Sequence, residues 1–153
     1  MVVGALLAAG GLFLMSFLGV DTSFWALAFP GQLILGLGLG FTFVPLSNLA
    51  LIGAGEHDAG AASAMLNATQ QVGASIGTAL LATISVGAIT AALADRPPTP
   101  DDPAAGLAAQ VEGYTTAFTW AAALLVVGAV VALVLIKATK DDLPAEGAMA
   151  HAG

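Results

Sequence analysis

Of the chain's 153 residues, 58% are hydrophobic and only 8% are charged, against about 25% charged in an average soluble domain. Three Lys and Arg oppose ten Asp and Glu, a net charge of -7, which excludes a basic nucleic-acid binder because phosphate affinity needs many cations. Cysteine is absent, excluding disulfides, thiolate metal sites and cysteine nucleophiles, and a mean hydropathy of +0.94 marks a membrane protein or a piece of one.

Charges divide the chain into uncharged stretches at 1–20, 22–55, 59–94 and 113–136. A transmembrane helix needs about 20 mostly apolar residues, and each stretch reaches that length. Period-two alternation is absent, which disfavours a β-barrel. The expected fold is all-α, an integral membrane helical bundle with spans at about 2–20, 25–52, 61–93 and 114–136 in a membrane region of 1–137.

The first span carries no ionisable side chain. A cleavable leader over 1–28 is suggested by the Ala26-Leu27-Ala28 triplet, but the N-terminus lacks a positive region and the apolar run is long. A tight turn is expected at Asp21–Ser23. The second stretch exceeds one crossing and must tilt or kink, with Pro30–Gly31 and Pro45 as the kink points. It holds Gly36, Gly38 and Gly40 in LGLGLGF, and Gly36 and Gly40 share a face with Gln32, Phe43 and Ser47. Small residues four apart let helix backbones approach closely, so packing outweighs a ligand role. A dinucleotide-binding reading fails, because no strand–turn–helix context surrounds the glycines and no acid follows at the required distance.

GEHDAG at 55–60 reads as a short turn with Glu56, His57 and Asp58 in water. In the third span Gly60, Ser63, Asn67, Gln71, Ser75, Thr78 and Ser85 share one face at 100° per residue. Amides and hydroxyls in lipid need partners, so this face turns toward protein or a water-filled cavity. Interhelical hydrogen bonding is the first reading and substrate-cavity lining the second. Gly73 and Gly77 form a GxxxG pair on another face. The connection 95–112, with Arg96, three aspartates and four prolines, reads as an extended outer loop. Lys137 and Lys140 follow the fourth span, and positive residues favour the cytoplasmic side. Both termini of this multi-pass cytoplasmic-membrane chain are thus expected inside, with 138–153 a disordered tail.

No predicted span contains an acidic or basic side chain (Asp, Glu, His, Lys or Arg), the usual mark of a proton relay or charged-substrate site. His57 and His151 read as solvated surface residues. No Walker lysine, metal-ligand cluster or nucleophile–base–acid set is present, so neither an enzyme, a metal nor a cofactor is expected.

The runs GQLILGLGLGFTFVPLSNLAL and GEHDAGAASAMLNATQQVGASIGTALLATI resemble the C-terminal portion of major facilitator superfamily transporters. The match is to the fourteen-span drug:proton antiporters of the multidrug-resistance type, and the Ala/Gly richness looks actinobacterial. In that family a Gly-rich helix with a Phe-x-x-Pro-like step precedes a short cytoplasmic loop. A helix opening with Gly-x-x-Ser and continuing through Asn and Gln to a Gly pair follows. Here those positions are Gly36, Gly38, Gly40, Phe41 and Pro45, then Gly60, Ser63, Asn67, Gln71, Gly73 and Gly77. Gln70 stands where many members carry Arg. The resemblance covers 24–89. It implies the last four helices of a transporter's second half, with the lipid bilayer, the remaining helices and an amphipathic small-molecule drug as partners. The proton-coupling acids of the family lie in the other half, so a C-terminal fragment, inactive alone, is the leading expectation. A self-contained four-helix small multidrug exporter is disfavoured, because such exporters carry a Glu in the first helix and 1–20 has none. A non-transporting membrane subunit has no signature here.

Overall fold

A computed structural model describes residues 1–51, 58–100, 102 and 104–135. Among them the chain forms four α-helices: α1 (Val2–Met15), α2 (Phe29–Leu51), α3 (Ala59–Asp95) and α4 (Ala105–Leu135). No strand occurs among the described residues, and a lone bridge joins Thr99 to Asp102. The all-helical bundle agrees with the hydropathy pattern. Phe24–Asn48, Ala59–Asp95 and Ala105–Val134 are long and apolar enough to cross a membrane, whereas Val2–Met15 is shorter.

Two boundaries differ from the pattern of charges. α1 stops at Met15 rather than near residue 20, because the Ser16 hydroxyl donates to the Phe13 carbonyl at 2.7 Å. Serine competes in this way with continued helix, and Gly19 N–H then donates to Thr22 Oγ1 at 2.8 Å to close the turn. α4 begins at Ala105, ahead of residue 114, so the connection expected through Glu112 ends sooner. The Ala-rich run AGLAAQ has strong intrinsic helix propensity, and it carries Glu112 into the helix's second turn.

α2 is entered through a π-helical turn, Phe24–Ala28. Pro30 has no N–H to offer the carbonyl four residues back, and a wider turn accommodates that loss. Phe24, Trp25 and Phe29 cluster there, with the Trp25 and Phe29 rings 5.1 Å apart. Such aromatic groups suit a membrane–water interface. Pro45 lies inside α2 without ending it.

Small residues hold the bundle together. α1 packs on α2 and on α4, α3 packs on α4, and α2 meets α3 only slightly. Among the described residues the buried apolar ones are Ala5, Ala8, Ala9, Ala28, Ala105, Ala109, Ala122 and Ala129, joined by one large side chain, Met15. This is how membrane helices associate, since lipid removes the hydrophobic drive and close backbone contact replaces it. At the α3–α4 crossing a Cβ on Gly113 would stand 2.8 Å from the Ser85 carbonyl oxygen and would collide with Ile89.

The turn 52–57, Lys137, Lys140 and the tail lie outside the described residues, as do the side chains of Leu49, Ala50, Leu51 and Leu135.

Candidate functional site

α3 carries polar groups along most of its length, and they separate into two kinds. The hydroxyls of Ser63, Thr78 and Ser85 make no side-chain hydrogen bond among the described residues, but four other hydroxyls are satisfied by the helix itself. Thr69 donates to Met65 O at 2.9 Å, Ser75 to Gln71 O at 2.8 Å, Thr83 to Ala79 O at 2.8 Å and Thr90 to Val86 O at 2.8 Å. The amides are not. Among the described residues, no side-chain hydrogen bond includes the amide of Gln32, Asn67, Gln70 or Gln71. A carboxamide presents two donors and an acceptor with two lone pairs, and none can be left bare in hydrocarbon.

Asn67, Gln71, Ser75 and Thr78 are exposed, and Ser63 is half-buried. They form one strip on the part of α3 that precedes its crossing with α4. Ser85, on the same face further along, is buried against Gly113 of α4. The face therefore serves two purposes along its length: its far end packs on α4, and its near end is uncovered among the described residues.

α2 does not gather its polar residues. Gln32 lies in its first turn and Ser47 near its end, about 22 Å apart at 1.5 Å per residue. Gln32 is exposed and Ser47 half-buried. Gly36, Gly40 and Pro45 do come together, lining an open apolar cavity of about 430 Å³ with Leu37, Phe41 and Val44. No heavy atom lies within 4 Å of a Cβ built on Gly36, Gly40, Gly60, Gly73 or Gly77. Gly38 points the other way, where an added Cβ would collide with Ala8 N of α1.

Sequence reasoning did not single out Gly4, Gly11 or Gly113, the positions of closest approach besides Gly38 and Gly31. A signal was present: Gly4 and Gly11 are seven apart in α1, as are Gly31 and Gly38 in α2. Gly113 gave none, because its fit depends on where α4 crosses α3.

Over 92% of its length the chain is 41% identical to the puromycin resistance protein of Streptomyces alboniger, of which it spans 28%. Over 54% of its length it is 33% identical to the cephamycin export protein of Amycolatopsis lactamdurans, spanning 17% of that protein. Over 41% it is 40% identical to a probable actinorhodin transporter of Streptomyces coelicolor, spanning 11%. The chain is a relative of actinobacterial drug-resistance and export proteins. The resemblance to drug exporters carried by the glycine and amide runs is thereby borne out, and the apolar helices make this relative a multi-pass membrane protein. The chain spans less than a third of the length of each of these proteins. No family model matches it, and no solved structure matches it.

Proposed function

We propose that the chain forms the last four membrane helices of a major facilitator drug:proton antiporter in the cytoplasmic membrane, and that the near end of α3 forms part of the drug path. The observation that carries this reading is the exposed amide pair Asn67 and Gln71, neither of which makes a side-chain hydrogen bond among the described residues, whereas the neighbouring Ser75 hydroxyl is held by Gln71 O. Unsatisfied amides at membrane depth require a polar neighbour, and an aqueous path through a transporter supplies one. The similarity to a puromycin resistance protein over 92% of the chain supports this reading.

Neutral amides set between apolar residues suit amphipathic organic molecules, because they supply hydrogen bonds without fixing a charge. The glycine-lined side of α2 and the amide strip of α3 are the two surfaces that the rest of the transporter covers. Lys137 and Lys140, which set both termini in the cytoplasm on this reading, follow the described part of α4.

A segment exchange tests the function. The aligned part of the S. alboniger puromycin resistance protein is replaced by this chain, and the chimera is expressed in a drug-sensitive host. Restored resistance is expected. A chimera that reaches the membrane in normal amount and confers none refutes the assignment.

A further inference from the structure

Large apolar side chains that face outward form bands of equal height on three helices. Among the described residues they run from Phe24 to Val44 on α2 and its entry turn, from Met65 to Val86 on α3 and from Tyr114 to Val134 on α4. At 1.5 Å per residue each band is about 30 Å tall, the thickness of a hydrocarbon core. The bands also stand at one height. A Cβ on Gly113 would lie 2.8 Å from Ser85 O, which sets Tyr114 across from Val86. Leu18, just past α1, shares a cavity of about 180 Å³ with Val111, Tyr114 and Phe118. A Cβ on Gly31 would collide with Met15, so the head of α2 is beside the end of α1.

α3 and α4 do not stop at that height. Their 37 and 31 residues measure about 55 and about 46 Å, against a core of about 30 Å. Tilt alone would have to reach about 60° to hold α3 in the core, beyond the usual range of about 0–40°. The surface changes at the same place. Among the described residues between Val86 and Tyr114, Leu107 is the one large hydrophobic that is exposed. The other side chains exposed on the helices there are Thr90, Ala91, Ala94, Asp95, Gln110 and Glu112, all small or polar. Ala105 and Ala109 remain buried, so α4 is still packed beyond the band.

We propose that residues 87–95 of α3 and 105–112 of α4 stand outside the bilayer as a two-helix hairpin, rising about 12 Å above the apolar belt. α4 thus begins at Ala105, but its membrane segment begins near Tyr114. The first charge-free residue after Glu112 marks the bilayer rather than the helix. Glu112 belongs to α4 and is nevertheless in water, as is Asp95, and neither carboxylate serves at membrane depth. The inference needs only that the helices sit in a bilayer. It holds whichever side the hairpin faces, and it survives failure of the exporter reading.

Depth can be read directly, because the chain has no cysteine of its own. Single variants Ala91→Cys, Leu107→Cys and Gln110→Cys, with Ile76→Cys, Leu80→Cys, Val127→Cys and Val130→Cys as belt positions, each carry a nitroxide label at an exposed site. The full chain is placed in phosphatidylcholine vesicles, and collisions of the label with oxygen, which concentrates in hydrocarbon, are compared with those of a water-soluble nickel chelate. The nickel-to-oxygen ratio should be high at Ala91, Leu107 and Gln110 and low at the four belt positions. Gln110→Cys repeats the α4 reading if Leu107→Cys loses helical content by circular dichroism. Two results overturn the proposal. One is a ratio at Ala91 and at Leu107 or Gln110 as low as at Ile76, which would place the helix ends in hydrocarbon. The other is fast, uniform label motion at every position tested within 87–95 and 105–112, buried Ala109 included, which would make the segment a loose loop.

Discussion

Gly4 and Gly38 face one another backbone to backbone: a Cβ on Gly4 would lie 2.7 Å from the Gly38 carbonyl oxygen, and one on Gly38 would lie 2.6 Å from that of Gly4. Seven residues along each helix the contact repeats, with a Cβ on Gly11 2.7 Å from Gly31 O. The two helices run antiparallel, so Gly4 meets the later glycine of α2 and Gly11 the earlier one. Thr42 borders the first contact: its hydroxyl donates to Gly38 O of its own helix at 2.8 Å and lies 2.7 Å from where a Cβ on Gly4 would stand. This seam holds α1, the short helix of the bundle, against α2.

Alanine at Gly38 should therefore separate the pair. Overpacking of a tight contact costs about 1–3 kcal/mol. Backbone atoms of α1 block the new Cβ, and backbone cannot swing aside as a flexible side chain can. Gly36→Ala, two residues away in open space, should instead gain up to about 1 kcal/mol from helix propensity. Thermal melting of both variants in the same detergent checks the contrast. Equal melting temperatures would remove Gly38 from the seam.

A parallel test applies where α4 crosses α3. Gly113→Ala presses on the Ser85 carbonyl and Ile89, so it should destabilise, while Gly77→Ala meets nothing within 4 Å. Loss of stability in Gly77→Ala but not Gly113→Ala would place the crossing elsewhere. If further helices cover α3, as proposed, the ranking changes, because Gly73 and Gly77 are among the positions open to them.

These glycines also mark what was legible from the sequence. The helical membrane class followed directly from charge-free stretches, because length and hydropathy are properties of the chain alone. Helix ends were less legible: Ser16 ends α1 through a local hydroxyl bond, and Ala-rich propensity starts α4 inside an acidic connection. Gly36, Gly38 and Gly40 are adjacent in sequence and similar in kind, yet only Gly38 meets α1. Periodicity places residues on faces; it does not say which face has a neighbour. The amide strip of Asn67 and Gln71 was legible as a face, but the self-satisfaction of Ser75 depends on a rotamer that no spacing encodes.

On the proposed reading that difference separates the two amides from Ser75 in function. In the puromycin-protein chimera, Asn67→Leu and Gln71→Leu remove unsatisfied donors from the drug path, and each should lower resistance several-fold without lowering membrane abundance. Ser75→Ala should leave resistance unchanged, because its hydroxyl is held by Gln71 O. Growth across a drug series, read beside immunoblots, checks this. Full resistance in both amide variants would assign the strip to packing.

The connection between α3 and α4 reports orientation. Arg96 Nε donates to Asp102 Oδ2 at 2.8 Å, and its guanidinium also lies 2.6 Å from that oxygen. Arg96 is 70% exposed, so the pair is screened by water and contributes no more than about 1 kcal/mol. With both termini inside, this connection is outside. A cysteine at the exposed Thr99 should react with a membrane-impermeant maleimide in intact cells. Labelling only after lysis would invert the topology.

The last prediction concerns coupling. Proton antiport needs a group that binds and releases a proton at membrane depth, held near a useful pKa by burial. α1, α2 and the stretch 59–94 of α3 contain no ionisable side chain. Asp95 ends α3, and Glu112 is exposed near the start of α4, inside the apolar stretch Ala105–Val134. Asn67 and Gln71 can hydrogen-bond a drug but cannot store a proton near neutral pH. Alternating access also needs a second bundle to rock against, and these helices form one. The 153-residue chain in liposomes should thus show no uptake of a fluorescent cationic drug driven by an imposed pH gradient. Within the chimera, Glu112→Gln should leave resistance within about twofold, because its carboxylate is exposed near the start of α4 rather than buried where a proton must be held. Gradient-driven uptake by the chain alone, abolished when the gradient is collapsed, would show that these helices couple protons by themselves, and loss of that uptake in Glu112→Gln would identify the acid.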